Sequence, residues 1–387
     1  MRFTALPPVR RAVPLTKGGA IARYAMERFF AGRRVKLYAS GTAALARAIR
    51  ECAAKASVNA PEVILPAYGC PDLVAACLHA SVIPRLVDVA RTSWAFDNPG
   101  LEASTTNNTV AIVAVNLLGL GDDAIELARF CQKKRISLIQ DSAQYLPRAP
   151  IDWPGEYVVL SFGRGKPLNL LHGGALIGPV HEDNPHIIED AHYAARDRLL
   201  ASRAAAIAFN VLTQPPVYRL LSTLPGTGLG EVNYRPLDNE RPLPEPASER
   251  FGAAFEQYRE KPSYRRDLWN SAIDEWAALG IEALESPRSP SPAEPLRLAM
   301  LAPDRTARNT LVRRLNHEGI GASHFYGNDL PHIAAIPGVI RNQGPFPQAS
   351  NLADRLFTLP THALLTKSAV QHAREAVRAL YRSRSSP

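Results

Sequence analysis

The sequence predicts an α/β fold, with a mostly parallel sheet in a large domain and a smaller α+β domain at the C-terminal end. The first observation is that short apolar runs alternate with helical stretches from about residue 35 to residue 180. The second is a polar, proline-rich segment at 236–246, which is typical of a boundary between domains. The third is a renewed strand-and-helix alternation beyond that segment. We therefore expect a large domain over 1–235 and a small domain over 236–387.

The predicted strands of the large domain are short and rich in β-branched residues, which is typical of strands buried on both faces of a parallel sheet. They are expected at 63–65, 84–89, 110–115, 136–140, 157–162 and 175–178, with helices between them at 43–54, 71–80 and 124–134. The small domain is expected to contain a long helix at 249–279, a strand at 297–301 and helices at 307–318 and 367–381. Ligands of parallel sheets bind at the carboxyl ends of the strands. Polar residues that directly follow an apolar run are therefore the first candidates for a functional site.

Composition and charge restrict the class of protein. The chain of 387 residues carries 45 basic and 36 acidic residues, which gives a net charge of +9. The basic residues are scattered and form no nucleic-acid-binding motif, which favours anionic small molecules over nucleic acid as partners. We recognise no signal peptide and no membrane-spanning run. The four cysteines have neither metal-binding nor disulfide spacing, so a reduced, cytoplasmic protein without a metal is expected.

A candidate phosphate site begins at Ser40, directly after the apolar pair Leu37 and Tyr38. Ser40, Gly41 and Thr42 form a turn of small residues that opens a predicted helix. Free backbone N–H groups and the helix dipole attract anions at such a position, and glycine lets the anion approach closely. An ordinary helix N-cap without a ligand is the alternative interpretation.

Three further features lie at predicted strand ends: Asp141, Lys166 and the pair Gly173-Gly174. Taken singly, the acid is typical of a solvated loop, the lysine of the surface and the glycines of a tight turn. Together with the phosphate site they match the needs of pyridoxal-phosphate (PLP) chemistry. The acid keeps the pyridine nitrogen protonated, and the lysine, 25 residues later, forms an imine and then moves a proton.

The chain resembles the DegT/StrS-type sugar aminotransferases, a family of fold type I PLP-dependent enzymes. The resemblance covers about residues 35–375 and rests on motifs in a specific order. The motifs of the N-terminal half lie at 40–45, 66–68, 84–89, 141–144, 161–166 and 173–174. Those of the C-terminal half are Gly319-Ile320-Gly321, Pro347, Ala349, the run 356–360, His362 and Leu365-Thr366. The resemblance implies a fold type I transferase with PLP as its cofactor.

The resemblance also implies roles for the residues that match the family's motifs. Lys166 would hold PLP as a Schiff base and act as the catalytic residue. Asp141 would pair with the pyridine nitrogen, and Gln144 would approach the ring hydroxyl. The phosphate would be held by Gly41, Thr42 and Ser161, and Ser40, in the same turn, is also expected to bind the cofactor.

The resemblance implies two further roles: one residue stacks on the face of the PLP ring, and another reaches the active site of a second subunit. The family often stacks an aromatic side chain on the ring from the segment after the second strand. The aligned position here is Cys70, with Tyr68 two residues earlier, so either residue is a candidate for binding the cofactor. Asn233 resembles the family's residue that reaches the phosphate in the neighbouring subunit. That match implies a homodimer with shared active sites.

The chain departs from the family's pattern at Asn116, Gln140 and His172, and most of all in an apolar insertion at about 185–230. Two interpretations of the insertion are open. One is a helical hairpin packed on the dimer. The other is an amphipathic surface for a lipid- or carrier-linked substrate, which would bring the protein to a membrane surface. The insertion is expected to change substrate access rather than chemistry.

The resemblance implies an aminotransferase that moves an amino group from an amino acid, usually glutamate in the family, to a keto-sugar by a ping-pong mechanism. The acceptor could be free or nucleotide-linked, as in polysaccharide or antibiotic biosynthesis. One alternative is a PLP enzyme that acts on a non-sugar or lipid-linked carbonyl compound. Another is a PLP-binding protein without turnover. Lysine rather than histidine at position 166 argues against the dehydratase branch of the family.

The residues that contact the substrate are the least determined part of the site. His324, Tyr326 and His362 stand out as candidates. An ordinary packing or surface role is the alternative for each of them. The sequence names no acceptor.

Overall fold

The structure is a computed structural model. It describes residues 4–16, 21–91, 93–121, 124–179, 196–224, 232–243, 245–260, 264–284, 293, 295–341 and 343–382. Its α-helices are α1 (Ile21–Phe29), α2 (Gly41–Lys55), α3 (Asp72–His79), α4 (Asn98–Ser104), α5 (Ile125–Lys134), α6 (Arg196–Leu212), α7 (Pro215–Thr223), α8 (Glu245–Glu260), α9 (Asn270–Ala277), α10 (Arg305–His317), α11 (Gly338–Arg341), α12 (Pro347–Arg355) and α13 (Lys367–Arg382). Short 3₁₀ helices lie at Arg266–Trp269 and Leu330–His332.

A seven-stranded sheet forms the centre of the N-terminal part. Its strands are β1 (Val35–Tyr38), β2 (Glu62–Pro66), β3 (Ile83–Val87), β4 (Thr109–Val115), β5 (Ser137–Asp141), β6 (Tyr157–Ser161) and β7 (Gly174–Ile177). Their order across the sheet is β1-β7-β6-β5-β4-β2-β3, and β7 runs antiparallel to both of its neighbours. All other pairs are parallel. The predicted α/β class and all six predicted strands are confirmed, and β1 is an addition to them.

Both faces of this sheet are covered, because side chains on a strand alternate between the two faces. Val63 and Leu65 of β2 pack on one face in a cluster that includes residues of α2 and α3. Ile64, between them, packs on the other face with residues of α4 and α5. Full burial of each such side chain contributes about 1.5–3 kcal/mol. The near-continuous apolar strands that predicted a parallel sheet therefore reflect burial from two sides.

A second sheet lies in the C-terminal part. It consists of β8 (Glu282–Ala283), β9 (Arg297–Leu301) and β10 (Leu356–Pro360), antiparallel in the order β10-β9-β8. Leu298 and Met300 of β9 belong to an apolar cluster with residues of α9, α10 and α13. Ala299 and Leu301, on the other face of β9, belong to the cluster that also contains the α2 and α3 residues. The C-terminal sheet therefore contacts the large sheet's core through one of its faces.

The helix predicted over 249–279 is interrupted. α8 ends at Glu260, and the chain becomes helical again at the 3₁₀ turn Arg266–Trp269 and in α9. Pro262 lies in the gap, outside the described residues, and proline disfavours a continuous helix. Phe255 of α8 packs edge-on against Phe29 of α1, with ring centroids 5.4 Å apart, in the cluster beneath the large sheet. The division into 1–235 and 236–387 stays a prediction, and this packing favours moving it to the end of α8.

The described part of the insertion forms two contacting helices, α6 and α7. Asn210 of α6 accepts a hydrogen bond from Val13 N and donates one to Val13 O, both at 2.9 Å. Ala5 N donates to Pro215 O at 3.1 Å. The hairpin therefore packs on the N-terminal segment of its own chain. The remaining residues of the predicted 185–230 insertion lie outside the described residues.

The outer surface of the hairpin is apolar. Ile207, Val211 and Leu220 are 51%, 51% and 64% exposed. No helix in the part of the chain that the structure describes has the length and apolar character needed to cross a membrane. Whether the hairpin contacts a second subunit or a lipid surface stays a prediction.

Candidate active site

A cleft opens at the carboxyl ends of β4, β5 and β6, beside the N-terminus of α2. Eight of the predicted site residues line it. They are Gly41, Thr42, Cys70, Asp141, Gln144, Ser161, Lys166 and Tyr326. The sheet topology explains this convergence, because parallel neighbouring strands end at the same edge.

The N-terminus of α2 forms one side of the cleft. Ser40 is the N-cap, and its Oγ accepts a hydrogen bond from Ala43 N at 3.0 Å. The backbone N–H groups of Gly41 and Thr42 lie ahead of that bond, in the first turn, where a helix offers no internal acceptor. Ser40 therefore borders the cleft as a cap, and the next two residues present their donors to it.

Ser161, the last residue of β6, closes this side of the cleft against Gly41. A Cβ built on Gly41 would lie 2.9 Å from Ser161 Cβ, and one built on Gly174 would lie 2.6 Å from Gly41 N. Side chains at either glycine would therefore force the strands and the helix apart. The two glycines allow the helix N-terminus to sit directly on the ends of β6 and β7.

Asp141 ends β5 and is only 8% exposed. Its Oδ1 accepts a hydrogen bond from Ala143 N at 3.0 Å, and no group among the described residues donates to Oδ2. Burial raises the pKa of this carboxyl, and the Ala143 N–H and the charge of Lys166 oppose the shift. A buried carboxylate with an unused oxygen favours a cationic donor as its partner.

Lys166 lies half-buried on a tight turn after β6. Its backbone N–H donates to Gly163 O at 3.2 Å, and Gly165 adopts a φ of +72°, a conformation that glycine reaches without strain. A Cβ on Gly165 would lie 2.6 Å from a methyl of Val9, so the N-terminal segment packs on the turn. Within the described residues, Nζ has no hydrogen-bond or ion-pair partner, and its charge acts on Asp141. The amine is thus held in the cleft but left available for a ligand.

Gln144 and Tyr326 connect the large sheet to the C-terminal part. Gln144 Nε2 donates to the Tyr326 hydroxyl oxygen at 3.0 Å. Burial raises the pKa of Tyr326 well above its usual value, so the phenol stays protonated at neutral pH. The Tyr326 ring also packs against Tyr68, with centroids 5.6 Å apart.

These residues fit PLP. The lysine amine lies in the same cleft as a buried carboxylate with an unused oxygen, and the helix N-terminus with Ser161 forms an anion cradle. Lys166 would hold the aldehyde carbon, Asp141 the pyridine nitrogen, and Gly41, Thr42 and Ser161 the phosphate. Among the described residues, no group of histidine, cysteine and acidic side chains is arranged to hold a metal ion.

Besides Ser40, which caps α2 at the cleft edge, four predicted residues lie away from the cleft lining. Tyr68 is fully buried behind Tyr326, whereas Cys70 lines the cleft directly. Asn233 is exposed and forms a β-bridge with Ala334, so its proposed reach into a second subunit stays a prediction. The other two are the histidines His324 and His362.

Neither histidine lines the cleft. His324 is half-buried, and burial together with the charge of Arg308 lowers its pKa. His362 is 1% exposed and its Nε2 lies 2.9 Å from Pro7 O. Burial lowers the pKa of His362 to about 4, so the ring is neutral. Its position indicates a role in fixing the N-terminal segment.

Several cleft residues were absent from the predicted site. These are Leu45, Asp72, Leu73, Val115, Asn116, Leu117 and Ala143. Asn116 appeared in the sequence only as a departure, yet it directly follows β4 and donates through Nδ2 to Ser142 Oγ at 2.9 Å. Asp72 opens α3 after Pro71. Position directly after a strand or at a helix start was the signal that could have identified them. Gln140, another departure, accepts a hydrogen bond from Gly155 N at 2.8 Å and therefore has a structural role.

The sequence model of the DegT/DnrJ/EryC1/StrS aminotransferase family matches residues 23–191 and 253–378. The unmatched stretch between them contains the α6–α7 hairpin. A putative L-glutamine:3-amino-2,3-dideoxy-scyllo-inosose aminotransferase of Micromonospora echinospora is 28% identical over 44% of this chain and 42% of its own length. A UDP-N-acetyl-3-dehydro-alpha-D-glucosamine 3-aminotransferase of Acidithiobacillus ferrooxidans is 36% identical over 27% of this chain and 28% of its own length. The matches thus span less than half of these relatives.

The fold is also that of solved structures. The PLP form of the putative sugar aminotransferase Spr1654 from Streptococcus pneumoniae superposes with a TM-score of 0.68 at 19% sequence identity, over 97% of this chain and 94% of that one. The structure therefore has the fold predicted from the motifs, and the family model covers most of the sequence. The chain belongs to the DegT/DnrJ/EryC1/StrS aminotransferase family.

Proposed function

We propose that the protein is a PLP-dependent aminotransferase that transfers the amino group of glutamate or glutamine to the keto group of a sugar or cyclitol. The observation that carries the proposal is the meeting of Lys166, Asp141 and the α2 N-terminus in one cleft. The choice of donor and acceptor is supported by the names of the relatives, which act on keto-cyclitols with glutamine or on a UDP-linked keto-sugar.

Each group in the cleft has a definite task in this reaction. Bound PLP supplies an electron sink for the negative charge that develops on the amino-bearing carbon. Asp141 Oδ2 would pair with the ring nitrogen and keep it protonated. Lys166 Nζ would hold the cofactor and, as a free amine, would carry the proton that leaves the donor's α-carbon. The apolar lining of Leu73, Val115 and Leu117 limits water around that proton.

The test follows the first half-reaction alone. The PLP-loaded protein is mixed with glutamate or glutamine and no acceptor, and the absorbance of the cofactor and the 2-oxo acid product are measured. We expect conversion to the amino form of the cofactor with one 2-oxo acid per site. Lys166→Ala, the matched control, should bind PLP and show no conversion. Absence of conversion with every amino acid tested would favour a PLP-binding protein without turnover. A subsequent screen of keto-cyclitols and keto-sugars, with and without a nucleotide, identifies the acceptor.

A further inference from the structure

Arg297 lies near the cleft on the first strand position of the C-terminal sheet's central strand, β9. It is only partly exposed. Its Nη1 donates a long hydrogen bond, 3.4 Å, to Thr358 Oγ1, and its guanidinium carbon lies 5.8 Å from the centre of the Phe325 ring. No carboxylate among the described residues pairs with it.

Side chains alternate between the two faces of β9, and this places Arg297 on the face of the C-terminal sheet that is turned toward the cleft. Leu298 and Met300 point into the C-terminal core. Arg297 lies on the opposite face, with Ala299 and Leu301, which pack in the cluster that contains Tyr68 and Phe325. Phe325 in turn packs on Tyr326, with ring centroids 4.1 Å apart. One aromatic layer therefore separates the guanidinium from a residue that lines the cleft.

The groups that act on the charge of Arg297 are three uncharged phenols. Burial lowers its pKa to about 10, and the tyrosines Tyr326, Tyr218 and Tyr264 act in the opposite direction. This cation is partly desolvated and has no anionic partner among the described residues, which is costly unless a ligand supplies the anion. A guanidinium binds carboxylates through two parallel hydrogen bonds, a geometry that its planar shape predisposes.

We propose that Arg297 binds a carboxylate of the amino-acid donor, with Tyr218 of the inserted hairpin at the rim of the same subsite. The inference rests on the proposed function, because it assumes an amino-acid donor. It gives α7 a role, since Tyr218 is half-buried and lies within electrostatic reach of Arg297. The inserted hairpin would then restrict the path by which the donor enters.

Arg297→Met and Arg297→Lys test the proposal, with Arg313→Met on the exposed side of α10 as the control. In the donor half-reaction we expect Arg297→Met to raise KM for glutamate about 10- to 100-fold, as expected for loss of a hydrogen-bonded charge pair. The first-order rate at saturating glutamate should change much less. Arg297→Lys should recover part of the affinity, and Arg313→Met should match the unmodified protein.

A second readout does not depend on turnover. Glutarate carries two carboxylates and no amine, so its binding to the PLP-loaded protein can be measured by calorimetry. We expect Arg297→Met to weaken glutarate binding by a similar factor. Thermal unfolding of each variant shows whether it is folded, and Arg297→Lys provides a conservative replacement if the methionine variant is not.

These experiments can refute the carboxylate subsite at Arg297 and the proposed aminotransferase function independently of each other. An unchanged KM for glutamate together with a raised KM for the acceptor would overturn the inference, because Arg297 would then bind an acceptor group such as a phosphate. Unchanged glutarate binding in both Arg297 variants would also overturn it. If no amino acid converts the cofactor but glutarate binding still depends on Arg297, the carboxylate subsite stands and the proposed function fails.

Discussion

The two walls of the cleft differ in how their residues come together. The sheet wall consists of Gly41, Asp141, Ser161 and Lys166, all at or just after the ends of β1, β5 and β6. The C-terminal wall consists of Tyr326, with Phe325 and Arg297 behind it. The topology of one sheet brings the first set together, whereas the second depends on the packing of distant segments. Substitutions in the sheet wall should therefore slow the reaction with every substrate. Substitutions in the C-terminal wall should mainly weaken the affinity for one substrate, the amino-acid donor.

Asp141→Asn is expected to have the largest effect and tests the sheet wall. The amide cannot balance a protonated ring nitrogen, and loss of one partner of a buried ion pair costs about 3–5 kcal/mol. Turnover should fall roughly 100- to 4,000-fold with any donor, since each 1.4 kcal/mol is about tenfold in rate. Asp72→Asn is the matched control, because Asp72 also lines the cleft but is exposed. Equal losses in the two variants, measured by steady-state kinetics, would contradict the role of Asp141.

Gly174→Ala tests the packing beneath the same wall. The added methyl would lie 2.6 Å from the backbone of Gly41 and 2.7 Å from Leu160 O, both rigid. Overpacking of this kind costs about 1–3 kcal/mol, so the free energy of unfolding and the affinity for PLP should both fall. Gly338→Ala, where a Cβ meets nothing within 4 Å, serves as the control. Denaturant titration with and without PLP measures both quantities, and an undiminished PLP affinity would show that the glycine pair is not needed for the cradle.

The pH dependence of stability tests whether His362 holds the N-terminal segment to the C-terminal part through its contact with Pro7 O. Its folded pKa, about 4, lies below the usual value because of burial. The unfolded chain then takes up the proton first, so stability is lost as the pH falls from about 6.5 toward 4. Between pH 7 and pH 5 the free energy of unfolding should decrease by about 2 kcal/mol on this account.

His362→Gln tests the source of that pH dependence, because glutamine keeps an N–H donor for Pro7 O but has no group that titrates between pH 5 and pH 7. Urea titrations at both pH values should give a smaller decrease for the variant than for the unmodified protein. The same decrease in both proteins would assign the pH dependence to other groups.

Substitutions in the α6–α7 hairpin are expected to change KM for the donor least. They test whether the hairpin contributes to the donor subsite beside the C-terminal wall. Tyr218→Phe removes a hydroxyl near Arg297 and should raise KM for the donor about 2- to 10-fold, the range of a single neutral hydrogen bond. Leu220→Ser, on the exposed surface, should leave KM within about twofold, as surface substitutions usually do. Equal shifts in the two variants would show that the hairpin does not contribute to the donor subsite.

The same Leu220→Ser variant addresses the lipid interpretation of the insertion. Sedimentation with anionic vesicles should be the same for the variant and the unmodified protein if the hairpin serves only packing. Weaker sedimentation of the variant would indicate that the exposed apolar surface contacts lipid.

The sheet wall could be predicted from sequence because its signals are local. A buried parallel strand is a short apolar run, and the next residue must lie at the ligand-binding edge. Asp141 was found in this way, and Ser161 and Lys166 were found in the segment that ends β6 and turns beyond it. The helix α2 begins at Gly41, directly after Ser40, as its turn of small residues predicts. Asn116 follows the same rule after β4, but its identity differs from the family's usual residue.

The C-terminal wall could not be predicted because no local pattern encodes it. Arg297 starts a strand like many surface arginines, and only the pairing of β9 with β10 and its face toward Phe325 make it distinctive. His324 and His362 stood out by residue type, yet the structure places both outside the cleft. The single helix expected over 249–279 shows the same limit, since its two parts pack in different cores.

The central claim is that Lys166 holds the cofactor, and reductive trapping tests it most directly. Sodium borohydride reduces an imine between PLP and a lysine to a stable amine, which survives proteolysis. Mass spectrometry of the digested, PLP-loaded protein should show the pyridoxyl group on the peptide that contains Lys166 and on no other. A label on a different lysine, or no label at all, would contradict the assignment.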